Sequence, residues 1–158
     1  MKALIVYDSF FGNTEKIAMA VGKAFGNAKD VTVYRVGDVK PEMLDGIDYL
    51  IVGSPTRAFS PSPAIKTFLK GIPSKQLDGV KVAAFDTRIA MTDKVPGILR
   101  FLVKFFGYAD KPILDGLKKK GGQEAVAPER FFVLDSEGPL AEGELERAAE
   151  WVKQIKNS

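Results

Sequence analysis

Short apolar runs alternate with amphipathic stretches along the whole chain. Residues 3–7 read Ala-Leu-Ile-Val-Tyr without a polar break, the pattern of a strand covered on both faces. A turn-like stretch, Asp8-Ser9-Phe10-Phe11-Gly12-Asn13, comes next. From Thr14 the spacing predicts a helix with Ile17, Val21, Ala24 and Phe25 on one face. Residues 31–36 (VTVYRV) interleave β-branched and polar side chains, which suits an edge strand. Tyr49-Leu50-Ile51-Val52 is again solidly apolar and ends at Gly53-Ser54. A Pro- and Ser-rich loop over 54–61 leads into a helix opening at Ser62-Pro63, with Ser as N-cap and Pro in the first turn. Ile65, Phe68, Leu69 and Ile72 are its inward stripe. Strands are expected at 80–85 and 131–134, with a short extended piece at 125–127. The last helix, about 142–156, turns Leu145, Ala148, Val152 and Ile155 inward, and its acidic start and basic end match the macrodipole.

This alternation with short loops predicts one α/β domain over residues 1–158, built on a parallel sheet. Ligands of such sheets sit beyond the carboxyl ends of the strands, where the strand order reverses. The loops at 8–13 and 54–61 and the stretch after Phe85 therefore share one rim. Residues 110–120 supply the crossover helix before the last strand, with Asp110 as N-cap, Pro112 in the first turn, and Ile113, Leu114 and Leu117 inward. The segment 89–108 is extra. Within it, residues 98–106 form an apolar helical pattern with Arg100 and Lys104 as a narrow basic stripe. Three uses fit that pattern: packing over the sheet rim, a lid beside the site, or a surface for self-association into a homo-oligomer. A membrane-surface helix is a fourth and weaker reading, because the polar face is so narrow.

Composition narrows the chemistry. The 158 residues include no cysteine and no histidine, which removes thiol nucleophiles, zinc thiolate sites, imidazole bases and Ser-His-Asp triads. Hard chemistry in such a chain points to a cofactor. A net charge of +3 is too mild to argue for nucleic acid. Apolar runs stop at about five residues, which excludes a bilayer span, and the start is too short for a signal-peptide core. A cytoplasmic protein is the expectation.

Candidate chemistry concentrates in Ser9-Phe10-Phe11-Gly12-Asn13-Thr14. Lying between a buried strand and a helix N-terminus, this loop offers two hydroxyls, an amide and a run of backbone N–H groups to an anion. Gly12 permits the tight turn. The loop has no basic residue, so a phosphate here is held by neutral donors. Neither a Walker loop nor a three-glycine dinucleotide fingerprint is present. On chemistry alone, a capped turn with two packing aromatics is the alternative.

The same loop resembles the FMN-phosphate loop of flavodoxins and flavodoxin-like proteins, [ST]-x-[TYF]-G-x-[TS]. Val52-Gly53-Ser54-Pro55-Thr56 is similar to the third strand and flavin-flanking loop of that family. Glu137-Gly138-Pro139-Leu140, then Gly143-Glu144 and a helix with Trp151, resembles its carboxyl end. The resemblance covers nearly the whole chain. It implies a three-layer sandwich with a five-stranded parallel sheet of order 2-1-3-4-5, helices on both faces, and FMN at the switch point.

By that resemblance FMN binds non-covalently, its phosphate held by Ser9, Phe10, Phe11, Gly12, Asn13 and Thr14. One wall of the ring slot comes from Ser54, Pro55, Thr56, Arg57 and Phe59, and the other from Asp86, Thr87 and Arg88. Phe59 is an aromatic wall or a hydrophobic anchor for its loop. Arg57 and Arg88 stand near the reduced flavin or are solvated surface charges. No side chain is nominated as acid, base or nucleophile. Three features depart from the family pattern. The stretch 54–60 has no Gly, Asn or Asp where a peptide flips on reduction, so strong stabilisation of one-electron-reduced flavin is not expected. No tyrosine follows closely after Phe85. The charge of +3 differs from the acidic carriers of the family, which dock by electrostatic steering. The functions implied are electron transfer with a redox partner protein, an FMN-dependent NAD(P)H quinone or nitro reductase with a small quinone-type acceptor, or an FMN- or phosphate-binding module without redox turnover. Nucleic acid and stable membrane insertion are not expected.

Overall fold

The computed structural model describes residues 1–56, 60–90, 97–98 and 108–158. Its elements are β1 (Ala3–Tyr7), α1 (Asn13–Phe25), β2 (Val31–Arg35), β3 (Tyr49–Pro55), α2 (Pro63–Gly71), β4 (Lys81–Ile89), α3 (Asp110–Lys119), β5 (Gln123–Glu124), β6 (Glu129–Val133) and α4 (Glu144–Lys156). The strands form a parallel sheet of order β2-β1-β3-β4-β5, with β6 also on β4. The expected order holds, and the interleaved β2 is an edge with no fully buried residue. Six described strands replace the expected five. β5 pairs Lys81 and Val82 of β4, whereas β6 pairs Phe85 to Ile89, so two pieces share the fifth position. The extended piece lies at Gln123–Glu124, not 125–127. Pro128, which has no N–H to donate, stands between the two pieces.

Period-two alternation explains why the central strands need unbroken apolar runs. Ala3, Ile5 and Tyr7 of β1 face α1 and α4, while Leu4 and Val6 face α2 and α3. Each face closes over its own core, one around Phe85, Phe131 and Trp151, the other around Ile65, Leu77 and Ile113. Helix α2 opens as expected, the Ile65 N–H donating to the Ser62 hydroxyl at 3.3 Å. Ile65, Leu69 and Ile72 are buried and Phe68 half-buried. In α3, Ile113, Leu114 and Leu117 are buried, but Ala109 takes the cap position and Asp110 is the first helical residue. Leu145 does not face inward: it is 44% exposed, and Trp151 fills the core beside Ala148, Val152 and Ile155. The apolar pattern at 98–106 lies outside the described residues except for Ile98. No helix among the described residues is long and apolar enough to cross a membrane.

Two strands run further than their apolar stretches. β3 continues through Ser54 and Pro55, and β4 through Asp86, Thr87, Arg88 and Ile89. They pair there, Ser54 with Asp86 and Pro55 with Thr87. One step earlier Gly53 pairs Phe85, and the Phe85 ring lies across the glycine where a Cβ would overlap it. Gly53→Ala is expected to lower the unfolding free energy by about 1–3 kcal/mol through this overpacking. Urea denaturation checks it, and adding Phe85→Leu to the alanine variant should recover part of the loss.

Candidate functional site

The carboxyl ends of β1, β3, β4 and β6 surround a cleft of about 420 Å³, within the range of small-molecule sites. The β1–α1 loop contributes Ser9, Phe10, Phe11, Asn13 and Thr14 to its lining. Pro55 and Thr56 come from the end of β3, and Thr87, Arg88 and Ile89 from β4. Val133 and Ser136 complete it from β6 and the turn beyond. Phe10, Phe11 and Ile89 are 47%, 50% and 39% exposed, so the mouth of the cleft is apolar.

The β1–α1 loop is held by its own short side chains. Asp8 Oδ1 accepts the Ser9 N–H at 2.9 Å, and Ser9 Oγ accepts the Gly12 N–H at 3.0 Å. Gly12, at φ 90°, is the N-cap of α1 and has no side chain to satisfy the first-turn N–H groups. A Cβ on Gly12 would meet nothing within 4 Å, so the loop faces open space. The helix N-terminus is therefore left with donors for an anion. The Asn13 amide is committed elsewhere: its Nδ2 donates to the Glu137 carbonyl at 3.1 Å, tying the loop to the turn after β6.

The end of β4 divides its side chains between two roles. Thr87 points to the loop, its hydroxyl sharing a 2.7 Å hydrogen bond with that of Thr14. Asp86 and Arg88 point the other way and pair with each other. Arg88 Nε and Nη2 donate to Asp86 at 2.8 and 2.6 Å, and Nη2 also lies 3.2 Å from Asp110. The guanidinium stacks on Tyr108, 3.3 Å from the ring centroid. Asp86 further accepts the Thr56 hydroxyl at 3.1 Å and the Asp110 N–H at 3.2 Å. Thr56 accepts the Ala109 N–H at 3.1 Å. One buried carboxylate thus joins β4, the end of β3 and the start of α3. Burial pushes the Asp86 carboxyl up from its ordinary value, and Arg88 pulls the other way.

Of the residues expected from sequence, Ser9, Phe10, Phe11, Asn13, Thr14, Pro55, Thr56, Thr87 and Arg88 meet at the cleft. Gly12 is not among the lining residues and shapes the loop through its positive φ. Ser54 and Asp86 are fully buried and turned away. Ser54 Oγ accepts the Ser62 N–H and donates to the Pro55 carbonyl, both at 2.9 Å, so it fastens the loop. Arg88 is no solvated charge, being 7% exposed and paired with two carboxylates. Arg57 and Phe59 lie outside the described residues. Ile89, Val133 and Ser136 were not among the expected residues. The rule that ligands sit beyond strand carboxyl ends, applied also to the strand at 131–134, points to the last two.

Arg88→Gln should cost about 3 kcal/mol by stranding the buried Asp86 carboxylate. Without Arg88 the Asp86 carboxyl rises further, so the folded variant keeps a proton that the unfolded chain releases. Its deficit is therefore smallest near pH ~4 and grows as pH rises. Denaturation curves across that range check the sign.

A family model described as a flavodoxin domain matches residues 4–132. A flavodoxin of Trichodesmium erythraeum is 28% identical over 160 residues, covering 92% of this chain and 90% of that protein. A probable flavodoxin 1 of Bacillus subtilis is 31% identical over 86 residues, 53% of this chain and 54% of its own. Among solved structures, oxidised flavodoxin 1 of Bacillus cereus superposes with a TM-score of 0.76 at 15% identity, covering 99% of this chain and 98% of that one. The strand order, the loop at the end of β1 and the family match over four-fifths of the sequence agree: the chain belongs to the flavodoxin family.

Proposed function

We propose that this chain holds FMN non-covalently in the cleft and relays electrons through it to a redox partner. The observation that carries the reading is the uncapped, glycine-led start of α1 opening on the cleft at the switch between β1 and β3. Bound flavin supplies reversible one- and two-electron chemistry that no side chain of this chain offers. The Ser9 and Thr14 hydroxyls and the first-turn N–H groups hold the phosphate. Pro55, Thr56, Thr87, Ile89 and Val133 border the ring slot, with Arg57 and Phe59 beside Thr56 in sequence. Asp86 positions Thr56 by accepting its hydroxyl. Support for one domain over 1–158 comes from the two cores, which lie on opposite faces of one sheet. A reductase acting on a small quinone-type acceptor is a second reading, favoured by the exposed Phe10, Phe11 and Ile89 at the mouth.

Mixing purified protein with FMN should shift the flavin absorption bands and quench its fluorescence; unaltered spectra overturn the reading. Ser9→Ala and Thr14→Ala should each weaken FMN roughly tenfold, the size of a lost hydrogen bond to a charged group, and leave riboflavin unchanged. Oxidation of NAD(P)H on adding a quinone selects the reductase, and turnover only with an added redox protein selects the carrier.

A further inference from the structure

The phosphate loop carries an electrostatic problem of its own. Its first residue, Asp8, is a carboxylate only 7% exposed, and Glu15 sits in the first turn of α1. Asp8 shapes the loop by accepting the Ser9 N–H, yet this places a negative charge one residue from the hydroxyl that would meet an anion. A phosphate monoester brings about −1.5 to −2 more. Within 9–14 there is no cation to offset these charges.

The neighbouring edge strand provides one. Arg35, the last residue of β2, pairs across the sheet with Tyr7 of β1 and places its guanidinium 3.7 Å from Asp8 and 3.8 Å from Glu15. It lies 5.8 Å from the centroid of the Tyr7 ring, and the Tyr7 hydroxyl donates to Glu15 at 3.0 Å. As a stability device this cluster is poor. The contacts are long and Arg35 is 45% exposed, the kind of pair that contributes little to folding. Its placement does set a cation beside the start of the loop.

We infer that Arg35 sets the preference of the β1–α1 loop for a doubly charged phosphate by offsetting part of the charge of Asp8 and Glu15. The inference rests on the loop being the phosphate site. Arg35 is a positioning residue: it acts through the two carboxylates. The phosphate-bearing ligand should therefore feel its loss, and the phosphate-free one should not.

The test titrates the wild type, Arg35→Gln, Arg35→Lys, Asp8→Asn and the Asp8→Asn/Arg35→Gln double variant with FMN and riboflavin. Asn at position 8 still accepts the Ser9 N–H. Arg35→Gln should weaken FMN about three- to tenfold, as for partly screened charges, and leave riboflavin unchanged. High salt should shrink the difference. Arg35→Lys should keep most of the affinity, and Asp8→Asn should cancel most of the Arg35→Gln loss. Equal weakening of both flavins, or a loss that Asp8→Asn leaves intact, overturns the inference. Melting of the flavin-free proteins in inorganic phosphate against chloride at equal ionic strength reads the same order without flavin. If the wild type binds neither flavin, the FMN reading falls, and this phosphate series still decides the role of Arg35: the same order supports it, and equal phosphate shifts in all variants overturn it.

Discussion

With helices closing both faces of β1, β3 and β4, these strands have no solvated side, and each polar residue they carry must sit near an end or find a partner inside. That constraint gathers the chemistry at one rim. Asp8 and Ser9 follow β1, Ser54 and Thr56 mark the end of β3, and Asp86, Thr87 and Arg88 end β4. It also explains why Asp86 and Ser54, though fully buried, carry complete sets of hydrogen bonds to neighbouring backbone and side chains. The Gly53–Phe85 contact belongs to the same economy of space: only a glycine lets the ring cross the sheet directly beneath the rim.

The unbroken runs at Ala3–Tyr7 and 49–52 made the central strands legible, and the interleaved 31–36 marked the edge. The loop at 9–14 was legible because few residue types suit a strand-to-helix turn that must leave N–H groups open. Strand ends were not legible, for a physical reason. Ser54-Pro55 and Asp86-Thr87-Arg88 have the composition of loops, and they remain in the sheet because they pair with one another across β3 and β4. Propensity cannot see such a partner. Leu145 fits the helical spacing of the inner face, but it shares an open groove with Met19 on α1, and the core beneath is filled by Trp151. A short extended piece before the last strand was legible, but its place at 123–124 was not, because one sheet position is filled by two short pieces on different stretches of β4.

Arg88 shows how burial alters the meaning of a charge. From sequence it is either a cation near the ring or a solvated surface residue. Within the fold Arg88 borders the cleft, but its guanidinium is shared between Asp86 and Asp110 and covered by Tyr108. With both carboxylates ionised, the group as a whole is not cationic. Its evident work is mechanical: it holds Asp86, which holds Thr56 and the start of α3. A cleft wall built this way depends on a charged pair being complete, since an unpaired buried ion is far more costly than a lost surface contact.

Net charge is likewise a poor guide to what a partner meets. The 23 basic residues exceed the 20 acidic ones by three, but the charges at the helix ends are not evenly spread. In a parallel sheet a crossover helix returns antiparallel to the strands, so the N-termini of α1, α2, α3 and α4 lie at the cleft end and their C-termini at the other. Matching the macrodipoles then separates the charges. Glu15, Asp110, Glu144 and Glu146 occupy first turns, whereas Lys23, Lys70, Lys118, Lys119, Lys153 and Lys156 occupy last turns. Arg35, Arg88 and Arg147, toward the cleft end, are each held by carboxylates. Asp135 and Glu137 add exposed acids beyond β6. Among the described residues, acidic side chains thus collect in the first turns at the cleft end, beside Lys16 and Lys111, and the last turns at the opposite pole carry lysines as their only charged side chains.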